Sequence, residues 1–209
     1  MLLPPHVRRS ELVRALARVP APEHPRADLE QVATPAEAAA DLLLAAVRWD
    51  RLEGRSVLDL GSGTGRLGIG AALLGAHPVV GVEIDPRLVE IAGKFARAAE
   101  VDVEFLVGDV ETLDRPAEVV MMNPPFGAQR RHADRPFWEG ALRLARRSVH
   151  AFALADSRTF IERRVVERRA HVLETQPVPW VFPRTFPHHT RRSVNLPVDR
   201  WAIQTEPNT

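Results

Sequence analysis

Hydrophobic positions along this chain change period repeatedly, and the changes mark elements. Residues 9–18 (RSELVRALAR) repeat at helical spacing and predict a short helix with Ser10 as cap. A proline-broken stretch, VPAPEHPRADLEQ, follows. TPAEAAADLLLAAVRWD then predicts a strong helix, with Thr34 as cap, Pro35 at the first helical position and Glu37 closing a capping box. From there short apolar runs alternate with helical ones. SVLDL reads as a strand, GSGTG as a turn and RLGIGAALLGA as a helix. PVVGVEI is a second strand, and DPRLVEIAGKFARAAEV a helix that Asp85 caps and Pro86 opens. VEFLVGD and EVVMMN are two more strands. FWEGALRLARRSV reads as a helix, HAFALA as a strand and DSRTFIERRVVERRA as a helix, with two strand-like stretches at the end.

Strands alternating with helices predict an α/β fold with a mostly parallel, doubly wound sheet. The 209 residues fit one domain of this kind, residues 34–209, behind an N-terminal helical extension, residues 1–33. No apolar run is long enough to span a membrane, and the arginine-interrupted N-terminus does not read as a secretory signal, so a cytoplasmic location is expected. The chain has no cysteine, which excludes a disulfide framework, a catalytic thiol and thiolate metal sites. His188 and His189 have no further ligand spacing around them, so no metal site is expected. The net charge of +1 is unevenly spread. Residues 1–125 carry 13 basic and 19 acidic side chains, and residues 126–209 carry 15 and 8. A basic C-terminal part either faces a polyanion or is a solvated arginine surface.

Candidate chemistry gathers where strands end. Asp59-Leu60-Gly61-Ser62-Gly63-Thr64-Gly65 lies between an apolar strand and a helix. Glycines there permit positive φ and close approach of a ligand, and open α/β sheets bind ligands at the carboxyl ends of their strands. Residues 63–68 also fit the dinucleotide fingerprint G-x-G-x-x-G, with Glu83 at a ribose-binding distance downstream. The competing pattern is the D-x-G-x-G-x-G turn of S-adenosylmethionine-dependent methyltransferases, whose acid suits an ammonium-bearing ligand. Glu83, ending the second strand, is placed to accept both ribose hydroxyls. Asp109, ending the third, either accepts from an adenine amine or closes a turn.

Asn123-Pro124-Pro125-Phe126 follows the fourth strand. Two prolines remove backbone donors, and Asn123 adds a carboxamide oxygen, so the loop offers acceptors and almost no donors. That suits a substrate presenting an –NH2 group, with Phe126 as a stacking face. Such amines are delocalised and poorly nucleophilic. Two acceptors on the two N–H bonds would push the nitrogen towards tetrahedral geometry and aim its lone pair.

Together the order LEQ…T…DLGSGTG…GVEID…GD…NPPFG resembles the Rossmann-like methyltransferases of the methyltransferase-like 5 type, archaeal relatives included, from about Ser10 to about Ile203. The resemblance implies a seven-stranded sheet with the last strand antiparallel, and methylation of N6 of an adenosine in small-subunit ribosomal RNA. It implies that Gln31 and Thr34 reach the methionine end of S-adenosylmethionine. Asp59, Gly61, Gly63, Gly65, Glu83 and Asp109 would hold the rest, and residues 123–126 the target base. Val32 stands where the family usually has an aromatic residue, and Asp134 matches an acidic position. Arg130, Arg131 and His132, with Arg191 and Arg192 of a basic hairpin at 186–193, would contact RNA phosphates. A small zinc-binding activator subunit is also implied. The segment 101–107 is the expected sheet edge for it, with Val101, Val103, Phe105 and Val107 on one face. A protein glutamine N5-methyltransferase also acts on an –NH2 group, but its usual loop aromatic is Tyr and its N-terminal domain is larger. DNA adenine methylation would need a target-recognition domain. A non-catalytic cofactor-binding scaffold would have no need of an acceptor-only loop.

Overall fold

The computed structural model describes residues 7–127, 130–183 and 193–206. The helix α1 (Arg9–Leu16) and a short 3-10 turn at Ala27–Leu29 precede α2 (Ala36–Asp50). Then come β1 (Val57–Leu60), α3 (Arg66–Leu73), β2 (Val79–Glu83), α4 (Pro86–Ala98), β3 (Glu104–Val107) and β4 (Ala117–Met122). The chain continues through α5 (Arg135–Leu144), β5 (Ala145–Leu154), α6 (Arg158–Glu167), β6 (His171–Val178), β7 (Val181–Pro183), β8 (Ser193–Asn195) and β9 (Val198–Gln204).

Seven strands form one sheet in the order β3-β2-β1-β4-β5-β9-β6. The last strand in sequence, β9, runs antiparallel to both neighbours, and the others share one direction. The expected α/β sheet with an antiparallel last strand is therefore present. Strand periodicity sorts the core between its faces. Leu58, Leu60, Val80, Val82, Val120 and Met122 pack with Trp138 of α5 and Ile161 of α6. Val57, Val79, Val119 and Met121 pack on the other face with Leu42 and Leu43 of α2 and Leu67 of α3. Leu12 and Leu16 of α1 are fully buried in this second cluster, so the N-terminal extension contributes to the same core.

Four local expectations are corrected. Arg8, not Ser10, caps α1, and its backbone N–H donates to Glu11 Oε2 (3.3 Å). Thr34 does not cap α2. Pro35 holds the cap position, and the Thr34 hydroxyl has a partner elsewhere. The helix before β5 stops at Leu144, because residues 145–149 are drawn into ladders with β4 and β9 that outweigh the helix propensity of Ala-Arg-Arg. The edge strand β3 begins at Glu104, later than expected. Val101 and Val103 pack instead on Ile69 and Leu73 between α3 and α4.

Register decides where the site lies. Leu60 pairs with Val82 on one side and Met122 on the other. Gly61, Glu83 and Asn123 are each the next residue, so all three leave the sheet in one row. Glu83 pairs in turn with Val107, which brings the turn at Gly108 and Asp109 alongside.

Candidate active site

A cavity of about 500 Å³ opens above this row. Its floor is the turn after β1, held down by the Gly61 and Ser62 N–H groups donating to Val82 O (2.8 and 3.0 Å). Gly61 has φ +67°, and a Cβ there would stand 2.7 Å from the Phe137 ring. Gly65 has φ +90°, and a Cβ would meet Phe105 at 2.6 Å and Ala92 at 3.0 Å. Both positions therefore require glycine for conformation and for space.

Three carboxylates organise this floor. Asp59, buried at the end of β1, accepts from Gly68 N (2.8 Å). Burial pushes its carboxyl up to about 7, nearby Glu83 adds to the rise, and the Gly68 bond opposes it. Glu83 accepts from Gly63 N (2.9 Å) and Asp85 N (3.0 Å) and fixes the glycine turn to the end of β2. Burial raises its pKa against these bonds. Asp85 caps α4 through Arg87 N (3.0 Å). The Arg87 side chain holds its carboxyl well below the usual range. Gln31, on the cavity wall, donates to Asp85 Oδ2 (2.9 Å) and accepts from Arg26 N (2.8 Å). Its carboxamide thus ties residues 26–31 to the start of α4. Asp109 is exposed on the rim and accepts from Glu111 N (2.9 Å), the turn contact, while also facing the cavity.

The opposite wall is the loop after β4. Asn123 Nδ2 donates to Thr34 Oγ1 (2.9 Å). Asn123 Oδ1 is buried and has no hydrogen-bond partner among the described residues. A buried acceptor beside a cavity is open to a donor from outside the chain, because leaving it unpaired costs stability. Pro125 lines the cavity, and Pro124 is buried beneath it. Phe126 lies outside the cavity lining. Its half-buried ring meets Trp180 edge-on (5.7 Å between centroids, 77°), and Trp180 meets Phe152 likewise (4.9 Å, 72°). The geometry thus brings Gln31, Thr34, Asp59, Gly61, Gly63, Glu83, Asp109, Asn123 and Pro125 to one cavity. Arg130 and Arg131 join them at an exposed rim, whereas Arg191 and Arg192 lie outside the described residues.

Sequence reading missed several wall residues. Phe137 covers Gly61 from the start of α5, and its one available signal is an aromatic shortly after the NPPFG loop. Ile84 stands half-exposed beside Glu83, and Val110 follows Asp109. Arg66 donates to the Thr34 and Val19 carbonyl oxygens and anchors the N-terminal segment to α3. Asp134 sits half-buried at the N-terminus of α5 and accepts from Ser157 Oγ (3.2 Å). No group of His, Asp or Glu among the described residues is placed to hold a metal ion.

Residues 33–150, more than half of the chain, match the methyltransferase small domain. The chain belongs to that family. It is a methyltransferase, and the matched span holds the glycine turn, Glu83, Asp109 and Asn123. A relative, the rRNA N(6)-adenosine-methyltransferase Mettl5 of Drosophila melanogaster, is 31% identical over 87% of this chain and 89% of its own. An uncharacterized protein of Methanocaldococcus jannaschii is 33% identical over 87% of each chain. The crystal structure of a candidate RNA methyltransferase from Pyrococcus horikoshii superposes with a TM-score of 0.88 at 35% identity, covering 96% of this chain and 98% of that one. Among the described residues no helix is long and apolar enough to cross a membrane.

Proposed function

We propose that this methyltransferase transfers the methyl group of S-adenosylmethionine to the N6 amine of an adenosine in structured RNA, with small-subunit rRNA as the substrate. The observation that carries this is Asn123 Oδ1, a buried acceptor with no partner among the described residues, in a loop stripped of donors by two prolines and facing the glycine turn across one cavity. The likeness to Mettl5 over 87% of the chain and the basic rim of Arg130, Arg131 and His132 favour RNA over a glutamine side chain as the source of the amine.

The site fits the cofactor. Glu83 presents a carboxylate for ribose hydroxyls beside a turn with open space at Gly63, and Asp59 lies where a cationic group is favoured. When bound, S-adenosylmethionine supplies an electrophilic sulfonium methyl group. The chain's own residues do the rest by positioning. Thr34 holds the Asn123 carboxamide with its oxygen turned away from the Thr34 hydroxyl. Asn123 Oδ1 then accepts one N–H of the target amine, and carbonyl oxygens of the loop accept the other. The lone pair is thereby aimed at the methyl carbon, and Phe137 and Pro125 supply apolar surface to the cavity wall.

Protonation of Asp59 makes cofactor binding pH-dependent. With its carboxyl held up to about 7, the free protein keeps Asp59 largely protonated at pH 6. A group whose pKa is raised by folding stabilises the fold below its unfolded value, near 4, and loses that contribution as pH rises through about 7. A cationic cofactor favours the ionised form and so expels a proton. Affinity should rise about tenfold between pH 6 and pH 8, with proton release at pH 6.5 seen by calorimetry in buffers of different ionisation enthalpy. Asp59→Asn should flatten the profile. A flat wild-type profile would remove Asp59 from the cofactor site.

We also propose strand addition of a small activator subunit at β3. Among the described residues this strand pairs only with β2, and Val107 is 59% exposed at its end.

A further inference from the structure

Helices α5 and α6 carry guanidinium groups that the reading above does not use. Residues 130–169 hold eleven arginines against five acids, in a chain whose net charge is only +1. Several of these arginines are spent within the fold. Arg158 pairs with Asp199, Arg147 with Asp50, and Arg164 and Arg168 with Glu139. Arg135 is different. Its side chain is exposed at the cavity rim and makes no hydrogen bond or ion pair among the described residues. The neighbouring acid, Asp134, takes its hydrogen bond from Ser157 instead.

Arg135 is nevertheless held in place. Its guanidinium carbon stands 5.0 Å from the centroid of the Phe160 ring, and that of Arg163 stands 6.0 Å from the same centroid. Phe160 is itself packed on the core cluster beneath α5 and α6, so the ring is a fixed platform. One ring thus gathers two cations, one at the cavity rim and one beyond it. Each cation–π contact at an exposed site is weak, and the two like charges repel. Arg163 pairs loosely with Glu167, 3.7 Å away, exposed, and shared with Arg164. The cluster therefore has directed donors and excess positive charge, and among the described residues no anion bridges the two arginines.

We propose that Arg135, Phe160 and Arg163 form a docking site for the phosphodiester backbone of the RNA strand that flanks the target nucleotide. The proposal rests on the RNA reading above. Arg135 takes the phosphate nearest the cavity and Arg163 a neighbouring one, so the strand leaves the active site across α6. These contacts position the substrate and carry no base information.

Fluorescence anisotropy with a labelled small-subunit rRNA fragment, titrated with salt, tests this. The double variant Arg135→Gln/Arg163→Gln should bind about tenfold more weakly at physiological salt, with a log–log salt slope smaller by about two. Phe160→Leu keeps an apolar side chain on the core but removes the platform. It should weaken binding with the slope nearly unchanged, because no charge is lost. Melting temperatures should stay at the wild-type value in both variants. Unchanged affinity and slope in the double variant, with wild-type RNA binding intact, would overturn the docking site alone. Polyglutamate competing as strongly as RNA would reassign the cluster to an acidic protein. A wild-type protein that binds no RNA would overturn the substrate reading, and the docking site with it.

Discussion

Asn123→Ala should lower kcat about a hundredfold or more and leave the affinity for S-adenosylmethionine within about twofold of wild type. The side chain donates to Thr34 and has an unpartnered oxygen at the cavity, while Asp59, Gly63 and Glu83 are held by other contacts. Loss of one aligned acceptor in the transition state costs on the order of 2–4 kcal/mol, and it appears in kcat when the interaction tightens as the amine is reshaped. Thr34→Val supplies the companion test. It removes the acceptor that fixes the carboxamide and should lower kcat in the same direction but less, while Thr34→Ser should restore it. Cofactor affinity and melting temperature falling together in Asn123→Ala would instead give this residue a structural role only.

Glu83→Ala should weaken cofactor binding by about two orders of magnitude. The carboxylate accepts from Gly63 N and Asp85 N, so its removal frees the glycine turn as well as any ribose contact. Hydrogen bonds to a charged group are worth about 1.5–3 kcal/mol each, and roughly 2.7 kcal/mol corresponds to a hundredfold in affinity. A fall of several degrees in melting temperature should accompany the loss, because two backbone N–H groups lose their acceptor. Glu83→Gln retains one acceptor oxygen and should fall between the two. Calorimetry showing NADH binding and no S-adenosylmethionine binding would replace the cofactor assignment with a dinucleotide.

What was legible in the sequence was what depends on short-range pattern. The glycine turn, the cap at Asp85 and the strand ends at Glu83 and Asn123 follow from local composition and periodicity, and strand alternation implied the sheet. Partnerships across many residues were not legible. Thr34 has the residue type of a helix cap, yet its hydroxyl is taken by Asn123, 89 positions away. Gln31 was expected on the cofactor and is bonded at both ends to protein, at Asp85 and Arg26. The chemistry of its loop gives Phe126 a stacking face, and its ring also lies edge-on to Trp180, a neighbour that no local signal reveals. Phe137 went unseen for the same reason, since only the close approach of α5 to Gly61 gives it a place in the wall.

The central claim is that the acceptor loop receives an adenosine amine. Incubation with methyl-labelled S-adenosylmethionine and a mixture of ribosomal RNA and total protein, followed by separation of the two and nucleoside digestion of the RNA, tests it directly. Label should appear in the small-subunit rRNA, recovered as N6-methyladenosine and lost in Asn123→Ala. Label recovered in protein as methylated glutamine, with none in the RNA, would contradict it.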